Sequence, residues 1–224
     1  MKRLLVFDID DTLTKSEFQH QTAFVESMKK FGINEINTNW RSYQHYTDSH
    51  ILKVNYENNL PQEFTFDFIE AFEEEMLQQM EQLRPIVEIP GAVQMLDFIT
   101  NETDYAVCFA TGSILQPAYL KLKQAGFNFN KQLVVGSNGI FERENIVKQA
   151  IEQARQVYGQ NEFEEIISFG DGIWDLRTAG NIGVHFVGIG DKNLADFEAE
   201  GIKHHLTDWK RFDLVDMEKA LKIS

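Results

Sequence analysis

The chain has 224 residues, enough for one good core or for one domain carrying a smaller insert. Its 43% apolar and 25% charged residues are those of an ordinary globular protein. A formal net charge of −14 argues against nucleic-acid partners and against anionic membrane surfaces, both of which need a basic face.

A small phosphorylated ligand stays compatible with that charge, because a metal ion and a few local donors reverse the field at one site. The single cysteine, Cys108, rules out an intrachain disulfide. Inside the run Ala106-Val107-Cys108-Phe109-Ala110 it reads as a small buried hydrophobe. The apolar stretch after Met1-Lys2-Arg3 reaches only Phe7, too short for the core of a signal peptide, and no span approaches transmembrane length. The expected location is cytoplasmic.

Taken in chain order, Leu4–Phe7 is the first apolar run and reads as a buried strand. Residues 15–88 then follow a helical pattern. Ser16–Phe31 carries Phe18, Phe24, Val25, Met28 and Phe31 on its apolar side. Phe64–Leu83 repeats the pattern with Phe68, Ile69, Phe72, Met76, Leu77 and Met80. Arg84-Pro85 to Pro90-Gly91 reads as a return hinge. Beyond it, helical segments at Ala92–Thr100, Ile114–Ala125, Glu144–Tyr158 and Ile173–Ala179 alternate with strands. Those strands are Tyr105–Ala110, Leu133–Val135, Ile166–Phe169 and Val184–Ile189. The alternation predicts an α/β fold, a doubly wound parallel sheet with an α-helical insert after its first strand. Sites in such sheets lie outside the carboxyl ends of the strands.

The polar residues that break the apolar runs fall at those ends. Asp8 closes the first strand, where a carboxylate can attack phosphorus and form a covalent intermediate. Asp10, two residues on, is placed to protonate a leaving oxygen and later to activate water. Thr111 and Gly112 end the second core strand, and a hydroxyl with backbone N–H groups before a helix can hold phosphate oxygens. In Gly170-Asp171-Gly172-Ile173-Trp174-Asp175, Asp171 is positioned for a hard divalent cation, with Asp175 one helical turn later. A cation is still needed, and Arg143 at the start of a helix is preferred over Lys148. The adjacent His204-His205 read as surface or strand-edge residues. For each of the insert's His20, Arg41, Tyr43, His45, Tyr46, His50 and Lys53 a solvated helical face is the first reading, and contact with a substrate the second.

With these motifs in place, the chain resembles the haloacid dehalogenase-like hydrolase superfamily, subfamily I, in its phosphoglycolate phosphatase-like branch. The segment Asp8-Ile9-Asp10-Asp11-Thr12-Leu13-Thr14 matches the first motif, Thr111 the second, and Asp171 with Asp175 the fourth. The resemblance implies a Rossmann-like catalytic core over 1–14 and 89–224, and a helical cap over 15–88. It also implies Mg²⁺ dependence and an aspartyl-phosphate intermediate. Asp8 would be nucleophile and metal ligand. Asp10 would be acid/base, with its backbone carbonyl on the metal. Thr111 would grip the phosphoryl oxygens and Asp171 the metal. Two positions depart from the pattern. The third motif usually shows lysine, often followed by proline, where this chain has Arg143 without proline. Position 11 is Asp where many relatives have Gly. True dehalogenases and phosphonate hydrolases of the superfamily lack an acid matching Asp10, so Asp10 favours phosphate esters.

The expectation is a Mg²⁺-dependent phosphomonoesterase for a small phosphorylated metabolite, with a monomer as the default state. A phosphomutase using the same intermediate, or a non-catalytic binding protein on this fold, are the competing readings.

Overall fold

The computed structural model describes residues 2–202 and 204–222. In chain order its elements begin with β1 (Leu4–Phe7), β2 (Thr14–Lys15), α1 (Glu17–Lys30), α2 (Asp48–Asn59) and α3 (Phe68–Glu81). Then follow β3 (Val87–Glu88), α4 (Ala92–Glu102), β4 (Ala106–Ala110), α5 (Leu115–Gln124), β5 (Val134–Val135) and α6 (Arg143–Tyr158). The chain continues with β6 (Ile166–Gly170), α7 (Ile173–Ile182), β7 (His185–Ile189), α8 (Leu194–Ala199), β8 (His205–Leu206) and α9 (Leu214–Lys222).

Among the described residues the main sheet has six strands in the order β5-β4-β1-β6-β7-β8. Every neighbouring pair in it is parallel. This is the expected α/β, Rossmann-like architecture. The first strand lies in the middle, and its four residues are all buried. A parallel strand covered on both faces needs such a continuous apolar run. Phe7 shows the packing. Its ring stacks on Phe169 with centroids 5.0 Å apart and meets Trp209 edge-on at 5.8 Å.

Residues 15–88 build a second apolar cluster around Phe24, Met28, Leu52, Phe72 and Met76. The chain enters and leaves this segment through a two-stranded antiparallel ribbon, β2 with β3, that pairs Thr14 with Glu88 and Lys15 with Val87. The expected hinge therefore contains a strand.

Several boundaries depart from expectation for physical reasons. Phe18, assigned above to the apolar side of the first insert helix, is 75% exposed. It lies six residues before Phe24, which turns it about 120° away from that face. Leu133 belongs to a 3₁₀ turn over Lys131–Leu133, so the strand expected at Leu133–Val135 begins one residue later. The helix α2 escaped detection because its buried face carries Asp48, Ser49 and Asn55 beside Ile51 and Leu52. Those polar residues break the apolar period. His205 lies on the edge strand β8, half-buried, with Nε2 2.6 Å from the Gly190 carbonyl oxygen. Cys108 is buried, as its apolar run implies.

Candidate active site

The carboxyl ends of β1, β4 and β6 lie side by side in the sheet, which brings three short loops together. Asp8 follows β1 directly, and its backbone N–H donates to the Phe169 carbonyl at 2.9 Å. Its side chain is buried and accepts from the Thr12 hydroxyl at 3.2 Å. Thr111 follows β4, is buried, and accepts the Ser113 N–H on its hydroxyl at 3.1 Å. Asp171 follows β6. Asp175 lies in the first turn of α7 and accepts the Gly172 N–H at 3.1 Å.

Arg143 is the first residue of α6 and ties these loops together. Its guanidinium donates to Asp8 Oδ1 at 3.0 Å, to Asp175 Oδ1 at 2.5 Å and to the Tyr46 carbonyl at 3.3 Å. Lys148, the alternative cation, is exposed on the same helix. Two glycines are required by close approach. A Cβ at Gly112 would lie 2.5 Å from Arg143 Nη1 and 2.8 Å from the Tyr46 carbonyl oxygen. A Cβ at Gly170 would lie 2.4 Å from Asp175 Cβ.

Asp8, Asp171 and Asp175 each offer a carboxylate oxygen, all within 4.8 Å of one another. Burial pushes the Asp8 carboxyl well above the usual carboxylate range, and repulsion from Asp175 adds to this against the pull of Arg143. Burial, then Asp175 and Asp8, push Asp171 up in the same way. One guanidinium does not balance three carboxylates in a low-dielectric site, so the donor set suits a hard divalent cation.

Asp10 stands apart from that trio. Its Oδ2 accepts from Lys121 at 2.7 Å and its Oδ1 from the Ser16 hydroxyl at 2.5 Å. Burial acts to raise its carboxyl, but Lys121 and His20 hold it down at about 2. The sequence reading did not single out Lys121. It sits on the core-facing side of α5 with Ala118 and Leu122, and a lysine inside an apolar stripe was the available signal. Asp11 has φ +51°, the left-handed region that glycine occupies freely. It offsets that strain by accepting the N–H groups of Ser16 at 3.3 Å and Glu17 at 3.2 Å, at the start of α1.

The insert closes over these loops. The Asp48 N–H donates to the Gly112 carbonyl at 2.8 Å, and its Oδ2 accepts the Ile114 N–H at 3.0 Å. Asp48 Oδ1 lies 2.9 Å from His20 Nε2. The rings of Tyr46 and Trp174 stack at 5.6 Å. Between insert and core is a cavity of about 320 Å³. Asp8, Asp10, Thr111, Gly112, Arg143, Asp171 and Asp175 all line it, together with His20, Arg41 and Tyr46 from the insert. Tyr43, His45, His50 and Lys53 do not: the Tyr43 hydroxyl donates to the Asn37 carbonyl, and Lys53 pairs with Glu57 on the surface. Among the described residues, each lysine and arginine lining the cavity is paired with a carboxylate. Arg143 pairs with Asp8 and Asp175, Lys192 with Glu17, and Arg41 with Asp196 at 3.4 Å.

Solved structures share this fold. A hydrolase from Pseudomonas syringae is 21% identical, with a TM-score of 0.69 over 97% of this chain and 98% of that chain. CbbY from Rhodobacter sphaeroides, solved in complex with phosphate, is 15% identical, with a TM-score of 0.70 over 97% and 100%. A beta-phosphoglucomutase from Clostridium difficile is 16% identical, with a TM-score of 0.67 over 100% and 98%. No curated protein matches the sequence. Among the described residues, no helix is long and apolar enough to cross a membrane. The family model for haloacid dehalogenase-like hydrolases matches residues 2–183, and the chain belongs to that family.

Proposed function

We propose that the protein is a Mg²⁺-dependent phosphomonoesterase that acts on a small phosphorylated metabolite through an aspartyl-phosphate at Asp8. The observation that carries this reading is the setting of Asp8. It is a buried carboxylate at a strand end, touched by Arg143 and crowded by Asp171 and Asp175, and it lines the cavity between insert and core. Asp8 attacks phosphorus in line and the ester oxygen leaves. Asp10 gives that oxygen a proton and later takes one from the water that cleaves the acyl-phosphate. Thr111, the Gly112 backbone and Arg143 hold the phosphoryl oxygens, since positioning and charge neutralisation do most of the work in phosphoryl transfer. Asp8, Asp171, Asp175 and the Asp10 carbonyl would hold Mg²⁺, which supplies positive charge to the transferring group when bound. Residues 15–88 serve as the cap over a core formed by 1–14 and 89–224. The reading takes the protein to be a cytoplasmic monomer.

Hydrolysis is favoured over phosphomutase chemistry by the paired cations of the cavity. A second phosphate would need a cation away from Asp8. Arg41 and Lys192, the candidates, are each engaged with a carboxylate. The leaving group is set against Trp40, Tyr46 and Trp174 on the cavity wall. The test is phosphate release from a panel of phosphorylated metabolites, with Mg²⁺ and with EDTA, alongside a search for isomer products with a bisphosphate primer. Metal-dependent release from monophosphates supports the reading. Isomer formation without release moves it to a mutase.

A further inference from the structure

Lys121 is fully buried, yet it occupies a place on α5 where its neighbours Ala118 and Leu122 are apolar. Burying an ammonium is costly, and a well-packed apolar residue of similar length would avoid that cost. Stability alone is thus a weak account of this lysine. What it touches is specific: Asp10 Oδ2 at 2.7 Å and Ser113 Oγ at 3.0 Å. The other oxygen of Asp10 accepts from Ser16 at 2.5 Å. Asp10 is thereby gripped on both oxygens from two sides, by the core helix α5 and by the first residue of the insert helix's approach. Its side chain remains 24% exposed and faces the cavity. The Ser113 contact links the same ammonium to the turn whose N–H donates to Thr111.

We propose that Lys121 is a positioning residue: it fixes the orientation of the Asp10 carboxylate, and the proton transfers at Asp10 depend on that orientation. This rests on the phosphomonoesterase reading above. A carboxylate that rotates freely loses the alignment on which proton transfer depends, a loss of about 10²-fold or more when such a group is removed.

The test is steady-state and burst kinetics with p-nitrophenyl phosphate and Mg²⁺ for the native protein, Lys121→Met, Asp10→Ala and the double variant. With this activated ester the leaving group needs no protonation, so the first half-reaction is spared. Lys121→Met is expected to lower kcat roughly 30-fold or more, with KM falling alongside so that kcat/KM changes less than about threefold, and to show a burst of nitrophenolate before the slow phase. In the Asp10→Ala background the Lys121 substitution is expected to add almost nothing, since the two act as one unit. Lys121→Gln keeps a donor and is expected to recover part of kcat. It carries the same test should Lys121→Met fail to fold. Native kcat in Lys121→Met, or an equal loss with and without Asp10, overturns the proposal while leaving the hydrolase reading standing. Absence of any turnover by the native protein across the metabolite panel overturns that reading and this proposal with it.

Discussion

Arg143 and Asp8 are 135 positions apart in sequence and 3.0 Å apart in the fold, and the same guanidinium reaches Asp175 at 2.5 Å. The contact exists because Asp8 ends the central strand while Arg143 opens the helix before β6. Burial opposes charge on Arg143, but Asp175 and Asp8 hold it protonated. Arg143→Ala is expected to lower kcat by about 10²- to 10³-fold, the scale for removing one donor from a transferring group. Arg143→Lys should recover part of this, since an ammonium keeps the charge but not the fork that spans two carboxylates. Steady-state kinetics on the best substrate of the panel checks both.

The acidic trio makes a stability prediction with a definite sign. Asp8 and Asp171 have carboxyls raised in the fold above their ordinary 3.8. The native state therefore binds protons that the unfolded chain does not. Their contribution is fully present below the ordinary value and is lost as pH rises through the raised one. Asp10, held at about 2, acts oppositely, and its contribution disappears only as pH falls from 3.8 toward 2. Metal-free protein should thus melt higher at pH 5.5 than at pH 7.5. At pH 7.5, Mg²⁺ at a hundredfold excess over its Kd should add about 2.7 kcal/mol, roughly 5–10 °C in Tm. Asp171→Asn should raise the metal-free Tm and abolish most of the Mg²⁺ response. Calorimetry with and without EDTA measures all three.

Gly112 tests the closeness of the phosphate loop, the guanidinium and the insert. Gly112→Ala would set a methyl 2.5 Å from Arg143 Nη1 and 2.8 Å from the Tyr46 carbonyl oxygen. The arginine side chain can shift, and the Tyr46 backbone yields less. Activity should fall roughly tenfold or more, with a stability loss of about 1–3 kcal/mol from overpacking. Chemical denaturation beside kinetics separates the two effects.

Phe7, Phe169 and Trp209 pack against one another beneath the site. Phe7→Ala is expected to cost about 3–5 kcal/mol through the cavity it leaves. A urea melt with an unchanged m-value would confirm that the loss is one of packing.

The core and much of the candidate site were legible in sequence because Asp8, Thr111 and Asp171 each directly follow an apolar run. Asp8, Thr111 and Asp171 need only the strand before them to be located. Arg143 was separable from Lys148 once the helix start was placed, since only the first residue of α6 faces the sheet's carboxyl end. Lys121 was marked only by its place in the apolar stripe of α5, which says nothing of what it touches. Its partner Asp10 is 111 positions away, and its helix reads as an ordinary amphipathic segment. The helix α2 was hidden for a related reason, its inward face being partly polar so that Asp48 can bond the Gly112–Ile114 turn. Periodicity sees burial only where the buried residues are apolar. Phe18 is the converse case, an apolar residue counted inward that points out.

The most direct test of the account is to trap the covalent intermediate. Protein turning over its best substrate with Mg²⁺ is quenched and reduced with borohydride, which converts an aspartyl-phosphate to homoserine, and is then mapped by peptide mass spectrometry. The account predicts homoserine at position 8 and at no other aspartate, and none in Asp8→Asn or with EDTA. Phosphate release that continues in Asp8→Asn, or modification at a different carboxylate, would contradict it.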